Sequence, residues 1–487
     1  MLWRRAVSGC FLIWDRLIGY KGKEIMSITS SLSAAMHTRE DGLIFLMTIF
    51  AGYPLAAIYR LIFYNKSPTV QHVYFVVTGL ALYILSYGAA VFHSILSILL
   101  AYWIVTYFPG QKVSIALAHL AFLGHLLIGY IYSETDNYDI NWTTPFCVMT
   151  LRFIGLVMDI YDGHKPADEL KTYQIQTSIK KSPNLLEIAA FGYFFCGTFA
   201  GPLFTLSRFR SFVAGEFLDS KKEVRISGLM PSLGRFVMAC FYIIIYQWGV
   251  LWIPNEYFNS PEFFALSFRW KVIWIVLWFR IVMCRYISVW LFTEGAAILA
   301  GIAYNGKDLK GNDRWDGVRD VHIKRWEFGL DFQSVIDSFN VGTNTFAKNN
   351  LYRRLQWLGN QTYSHLITLI YLAIWHGYHL GYFIVFVLEF GCILAQKQAG
   401  FNIFIEDFYL LLSKSPKLSH HLAQPYMLPL KFIFGRIVIN VSMGIGFLTF
   451  GLVKTRNWIR PLLSVYCFPH VFFIFIWPLF YRFLFSM

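Results

Sequence analysis

Long apolar runs separated by short polar connectors fill almost the whole chain, and their length rather than their periodicity is the first signal. Runs near the roughly 20 residues that a helix needs to cross a hydrocarbon core of about 30 Å recur throughout. They occupy residues 43–63, 73–88, 91–107, 113–132, 146–160 and 185–204. The second half adds 235–253, 272–292 with a continuation at 296–304, then 366–390, 430–453 and 462–485. Backbone groups in lipid need partners within their own segment, and no two-residue alternation suggests a barrel. The pattern therefore predicts an all-α polytopic membrane protein with about 9–12 transmembrane helices, some of them short or broken.

Composition agrees, since 56% hydrophobic and 19% aromatic residues with only 14% charge leave too little polar surface for soluble domains in a 487-residue chain. Residues 1–40 mix Arg4, Arg5, Asp15 and Arg16 with a short apolar stretch, and read as an interfacial N-terminal segment. Residues 41–487 read as one transmembrane domain. The net charge of +14 has its excess in connectors 171–181, 208–225 and 307–325. Such loops favour the cytoplasmic side and meet anionic lipid or an anionic soluble ligand, so nucleic acid is not the expected partner. Seven cysteines stand singly, without a Cys-x-x-Cys pair, which suits neither a disulfide framework nor a zinc site. No metal is expected.

Polar groups at membrane depth are costly and mark function or a specific packing need. The apolar run 366–390 carries His376 and His379, and read as one helix it puts both imidazoles on one side, with Gly377 and Gly381 leaving room for an approaching group. An intramembrane histidine serves either as a hydrogen-bonded packing residue or as a proton carrier. Metal binding by the pair lacks a third ligand. Before this run lies a polar element, 338–360, rich in amides at its start: Asn340, Asn344, Asn349 and Asn350 suit caps and turns, while Lys348, Arg353 and Arg354 fall on its polar positions. Glu187, Asp159, Asp162 and Glu294 are further polar positions inside apolar runs.

Several chemistries are missing. No P-loop, dinucleotide fingerprint or Gly-x-Ser-x-Gly elbow occurs, and no histidine is followed by aspartate five positions later, which argues against the glycerolipid acyltransferases that use a His-x4-Asp pair. Three classes remain: a membrane enzyme centred on the histidine run, a transporter or lipid scramblase with a polar intramembrane path, and a catalytically silent scaffold.

The segments Ser338-Phe339-Asn340 and Trp375-His376-Gly377 resemble the membrane-bound O-acyltransferase family, in which a polar asparagine precedes a histidine set in an apolar helix. GYP at 52–54, NYDINWTTPFCVMTLRFIGLVMDIYDG at 137–163 and LLEIAAFGYFFCGTFAGP at 185–202 carry the likeness further. So do LFTEGAAILAGIAYNG at 291–306, RWD at 314–316, SFNVGTNTF at 338–346 and LAIWHGYHLGY at 372–382, so that it covers about residue 30 onward. The first 30 or so residues fall outside it, and the terminal YRFLFSM has no lysine-based retrieval signal.

The resemblance implies a bundle around a reaction tunnel in the endoplasmic-reticulum membrane, with an enzyme of the branch that reacylates lysophospholipids. The implied reaction moves a polyunsaturated acyl chain from acyl-CoA, a co-substrate and not a cofactor, to the free sn-2 hydroxyl of lysophosphatidylcholine. His376 would act as the base and later protonate the CoA thiolate. Asn340 would donate to the thioester oxygen or orient the histidine or a substrate. Attack is then direct, since no activated serine or cysteine is indicated, although Cys147 in PFCVMTLR is the rival nucleophile. Lys348, Arg353 and Arg354 would contact CoA phosphates or anchor the element at the interface. Asn344 and Trp375 are the other substrate-binding candidates, and His379 is a support for His376. A homodimer is compatible with the sequence.

Overall fold

A computed structural model describes residues 28–35, 38–134, 140–399 and 428–485. Most of the expected interfacial segment 1–40 lies outside these residues. Among the described residues the chain is helical, with no strand and two isolated antiparallel bridges. Among the described residues eight helices are long and apolar enough to cross a membrane, and nine if the bent pair Thr455–Ser464 and Phe468–Phe483 forms one span. The all-α polytopic expectation holds, and eight or nine spans among the described residues stand against the roughly 9–12 expected. Several apolar runs are shorter or broken as helices, 462–485 at the bend above and two more besides. The run 185–204 is helical only over Leu185–Tyr193, and the run 366–390 is split.

The described residues fall into two compact units: residues up to 134 with 140–238 and 289–319, and residues 239–288 with 320–487. In the first unit the helix Thr143–Gly163 is central. Most of its residues are buried, including Phe146, Leu151, Phe153, Ile154 and Val157, so its apolar side chains face protein on nearly every side. Leu185–Tyr193 packs on Pro68–Tyr87, and the close approach relies on Gly79, where a side chain would collide with the Tyr193 backbone.

Two charged groups buried in this unit have partners. Arg152, 3% exposed, donates from Nη1 to the Phe191 carbonyl at 2.9 Å and from Nη2 to the Gly197 carbonyl at 2.6 Å. Its guanidinium also lies 5.3 and 4.8 Å from the ring centroids of Phe191 and Phe204. That arginine ties down the non-helical stretch after Tyr193, whose carbonyls have no helix to satisfy them. Glu294, fully buried, pairs with Arg235 at 3.0 Å and Arg319 at 3.4 Å.

The second unit holds Gln361–His376, Leu380–Ala399 and Leu428–Gly451, packed in succession. Gly381 sits directly against the Thr449 backbone carbonyl, and the Thr449 hydroxyl donates to the Gly381 carbonyl at 2.9 Å. The room expected at Gly381 is therefore taken up by a neighbouring helix. A cavity of about 590 Å³ in this unit is almost wholly apolar, with Phe332, Ile437, Val441, Tyr466, Phe472 and Ile476 in its wall.

Candidate active site

The histidine helix begins at Asn360, whose side-chain oxygen accepts from Thr362 N–H at 2.9 Å and Tyr363 N–H at 3.2 Å. It ends at His376. Gly377 takes φ 134° and ψ −172°, a conformation open to glycine and strained for other residues, and the chain restarts as a helix only at Leu380. This corrects the one-helix reading of 366–390. His376 is the last residue of one helix and His379 lies in the bend, so the two imidazoles do not share a helix face. With 16 residues the helix is about 24 Å long, less than the roughly 30 Å core.

Rings surround the His376 imidazole. Trp375, Phe450, Phe386 and Tyr382 lie at centroid distances of 4.5, 5.0, 5.7 and 5.8 Å. The imidazole is half-buried and makes no hydrogen bond among the described residues. Trp375 itself is buried, 5% exposed. His379 lies against Tyr378 and Tyr382, at 4.7 and 6.0 Å between centroids. Sequence reasoning missed Tyr382, Phe386 and Phe450. The first two follow the break at one-turn spacing, whereas Phe450 comes from Leu428–Gly451 and left no local signal.

Asn340 stands before the short helix Val341–Phe346 with φ 49° and ψ 43°, the left-handed region that asparagine tolerates better than most residues. Its backbone is clamped from both sides. Val341 N–H donates to the Asp320 carbonyl at 3.2 Å, Gly342 N–H to the Asp320 carboxylate at 2.9 Å, and His322 N–H to the Ser338 carbonyl at 2.7 Å. The Asn344 amide donates to the carbonyls of Ile336 and Phe339, both at 3.0 Å, so this side chain holds the turn. The Asn340 carboxamide, half-buried, makes no hydrogen bond among the described residues.

From that turn the chain continues through Ala347–Leu351 and Tyr352–Leu358, and both pack on the histidine helix. Asparagine turn and histidine helix thus belong to one continuous, mutually packed stretch of one unit. Lys348 on it is exposed. Arg353 donates to Asn349 Oδ1 at 3.1 Å and Arg354 reaches Asn350 Oδ1 at 3.5 Å. Cys147 lies in the other unit, within Thr143–Gly163, with its thiol on the Thr144 carbonyl at 2.9 Å. Among the described residues no group of three or more metal-ligating side chains comes together.

The sequence profile of the membrane-bound O-acyltransferase family matches residues 127–448, more than half of the chain. The chain belongs to that family. As a member of this O-acyltransferase family it is a multi-pass membrane acyltransferase. It is 52% identical to lysophospholipid acyltransferase 5 of Caenorhabditis elegans, over 93% of this chain and 94% of the relative. The proteins of the same name from Drosophila melanogaster and Homo sapiens are 35% and 31% identical, over 91% and 94% of this chain and 87% and 91% of their own lengths.

Proposed function

We propose that this acyltransferase reacylates lysophospholipids, moving a polyunsaturated acyl chain from acyl-CoA to the free sn-2 hydroxyl of lysophosphatidylcholine and related lipids in the endoplasmic-reticulum membrane. The observation that carries the substrate class is the likeness, along nearly the full length, to proteins called lysophospholipid acyltransferase 5.

On this reading His376 takes the sn-2 hydroxyl proton as the oxygen attacks the thioester carbonyl. The negative charge that develops on the carbonyl oxygen receives the Asn340 amide. Collapse breaks the carbon–sulfur bond, and the imidazolium returns its proton to the departing thiolate, leaving phospholipid and CoA. A ring-lined, half-buried imidazole without a hydrogen-bond partner among the described residues supports this role, because both of its nitrogens are left to exchange a proton with a substrate. The aromatic surroundings limit water and so favour transfer over thioester hydrolysis. The histidine would then line a tunnel open to CoA from the cytosol and to the lysophospholipid from the membrane.

The test is turnover by the purified full-length protein in lipid nanodiscs. A panel crosses lysophosphatidylcholine and three other lysophospholipid head groups with saturated and polyunsaturated acyl-CoAs. Labelled phospholipid should form, most rapidly from lysophosphatidylcholine and a polyunsaturated donor. Transfer to none of the lysophospholipids would refute the assignment.

A further inference from the structure

Among the described residues Asn340 has no hydrogen bond of its own to aim its amide, so the turn that carries it sets its direction. One side of the turn is held by Asp320 and Asn344. The other side rests on Phe339, whose ring meets the edge of Trp326 at 5.5 Å and an interplanar angle of 88°. Trp326, 1% exposed, also meets Phe279 at 6.0 Å. Over its ring, 4.7 Å from the centroid, stands the Arg280 guanidinium.

That guanidinium is fixed in turn. Arg280 pairs with Glu327, the residue after Trp326, and the second oxygen of Glu327 accepts from the Tyr242 hydroxyl at 2.8 Å. Both ion-pair partners are about a quarter exposed, 28% and 25%, so the pair contributes little stability by itself. Its geometric effect is larger. It grips Trp326 through the ring face and through the neighbouring backbone, and Phe339 packs on that indole edge-to-face.

We propose that Arg280 and Trp326 are positioning residues for the acyl transfer. Together they fix Phe339, and with it the left-handed turn that aims the Asn340 amide at the developing oxyanion. This rests on the role given to Asn340 above. A misplaced donor costs rate without costing substrate binding, so the signature is a fall in kcat with KM retained.

A double-mutant cycle in the full-length enzyme separates positioning from mere support. Trp326→Leu should lower kcat about tenfold with both KM values within about twofold, and in an Asn340→Ala background it should change kcat by less than about twofold. Arg280→Met, which keeps the indole and removes the cation, gives the same cycle should Trp326→Leu fail to insert, and Arg280→Lys should recover most of the loss. An equal tenfold fall in both backgrounds, or an unchanged kcat in the first, overturns the positioning role alone. Near-normal turnover of Asn340→Ala by itself overturns the catalytic reading of Asn340 and this inference with it.

Discussion

Arg152 in the first unit and His376 in the second both set an ionisable side chain among aromatic rings, yet the chain treats them differently. Around Arg152 the backbone supplies carbonyls at 2.6 and 2.9 Å, and Glu294 in the same unit is closed between two arginines. Around His376 and Asn340 the described residues supply rings and a clamped backbone but no partner for the imidazole or the carboxamide. Buried polarity that the protein satisfies itself holds non-helical backbone in place. The half-buried imidazole and carboxamide keep their hydrogen-bonding capacity for a ligand, which is the role proposed for them above.

The sharpest way to break this contrast is His376→Ala. Because the imidazole holds nothing in place by hydrogen bonding, the variant should insert and melt like the native protein while turnover falls by roughly 10²- to 10⁴-fold. Near-normal turnover by folded protein would return the residue to packing. Asn340→Ala should follow, with kcat lower by roughly 10²- to 10³-fold and acyl-CoA binding retained in an equilibrium assay. Loss of binding instead would make the asparagine a substrate ligand.

Arg152→Met tests the other half. Removing the guanidinium strands several carbonyls, so the folded fraction and the melting temperature in detergent should drop, by on the order of 2–3 kcal/mol of stability. The kcat per folded molecule should stay within about twofold of native. A stable but inactive variant would contradict the structural assignment of this arginine. The smallest effects belong to the basic residues after Asn340. Neutralising Lys348, Arg353 or Arg354 singly should raise KM for acyl-CoA about three- to tenfold, leave that for lysophospholipid nearly unchanged, and flatten the salt dependence. Parallel rises in both KM values would point to anchoring of the element at the interface.

Most of the helical layout was legible because lipid imposes it: a run of apolar residues about 20 long has few alternatives to a spanning helix. The break at Gly377 was not, since hydropathy passes smoothly through IWHGYHLGYF and carries no information about φ. The pair of glycines at 377 and 381 is the available hint: it suggests space, whereas one glycine ends a helix and the other is a helix contact. Arg152 announced itself as a lone cation in the run 146–160, yet its carbonyl partners lie some 40 residues on in a stretch that reads as helix. The candidate pair was visible through family resemblance. The aromatic lining from Phe450 and the grip of Arg280 on Trp326 depend on packing between distant helices, which one sequence does not encode locally.

Ending a helix on His376 also has an electrostatic consequence. The last carbonyls of Gln361–His376 have no following turn to bond them all, and their aligned dipoles leave about half a negative charge at that end. An imidazole that accepts a proton there becomes a cation beside the pole of the helix that suits one. Many general-base histidines lean on a carboxylate for this. Here the backbone itself would serve as counter-ion, present only at the tip of the helix and so dependent on the glycine that stops it.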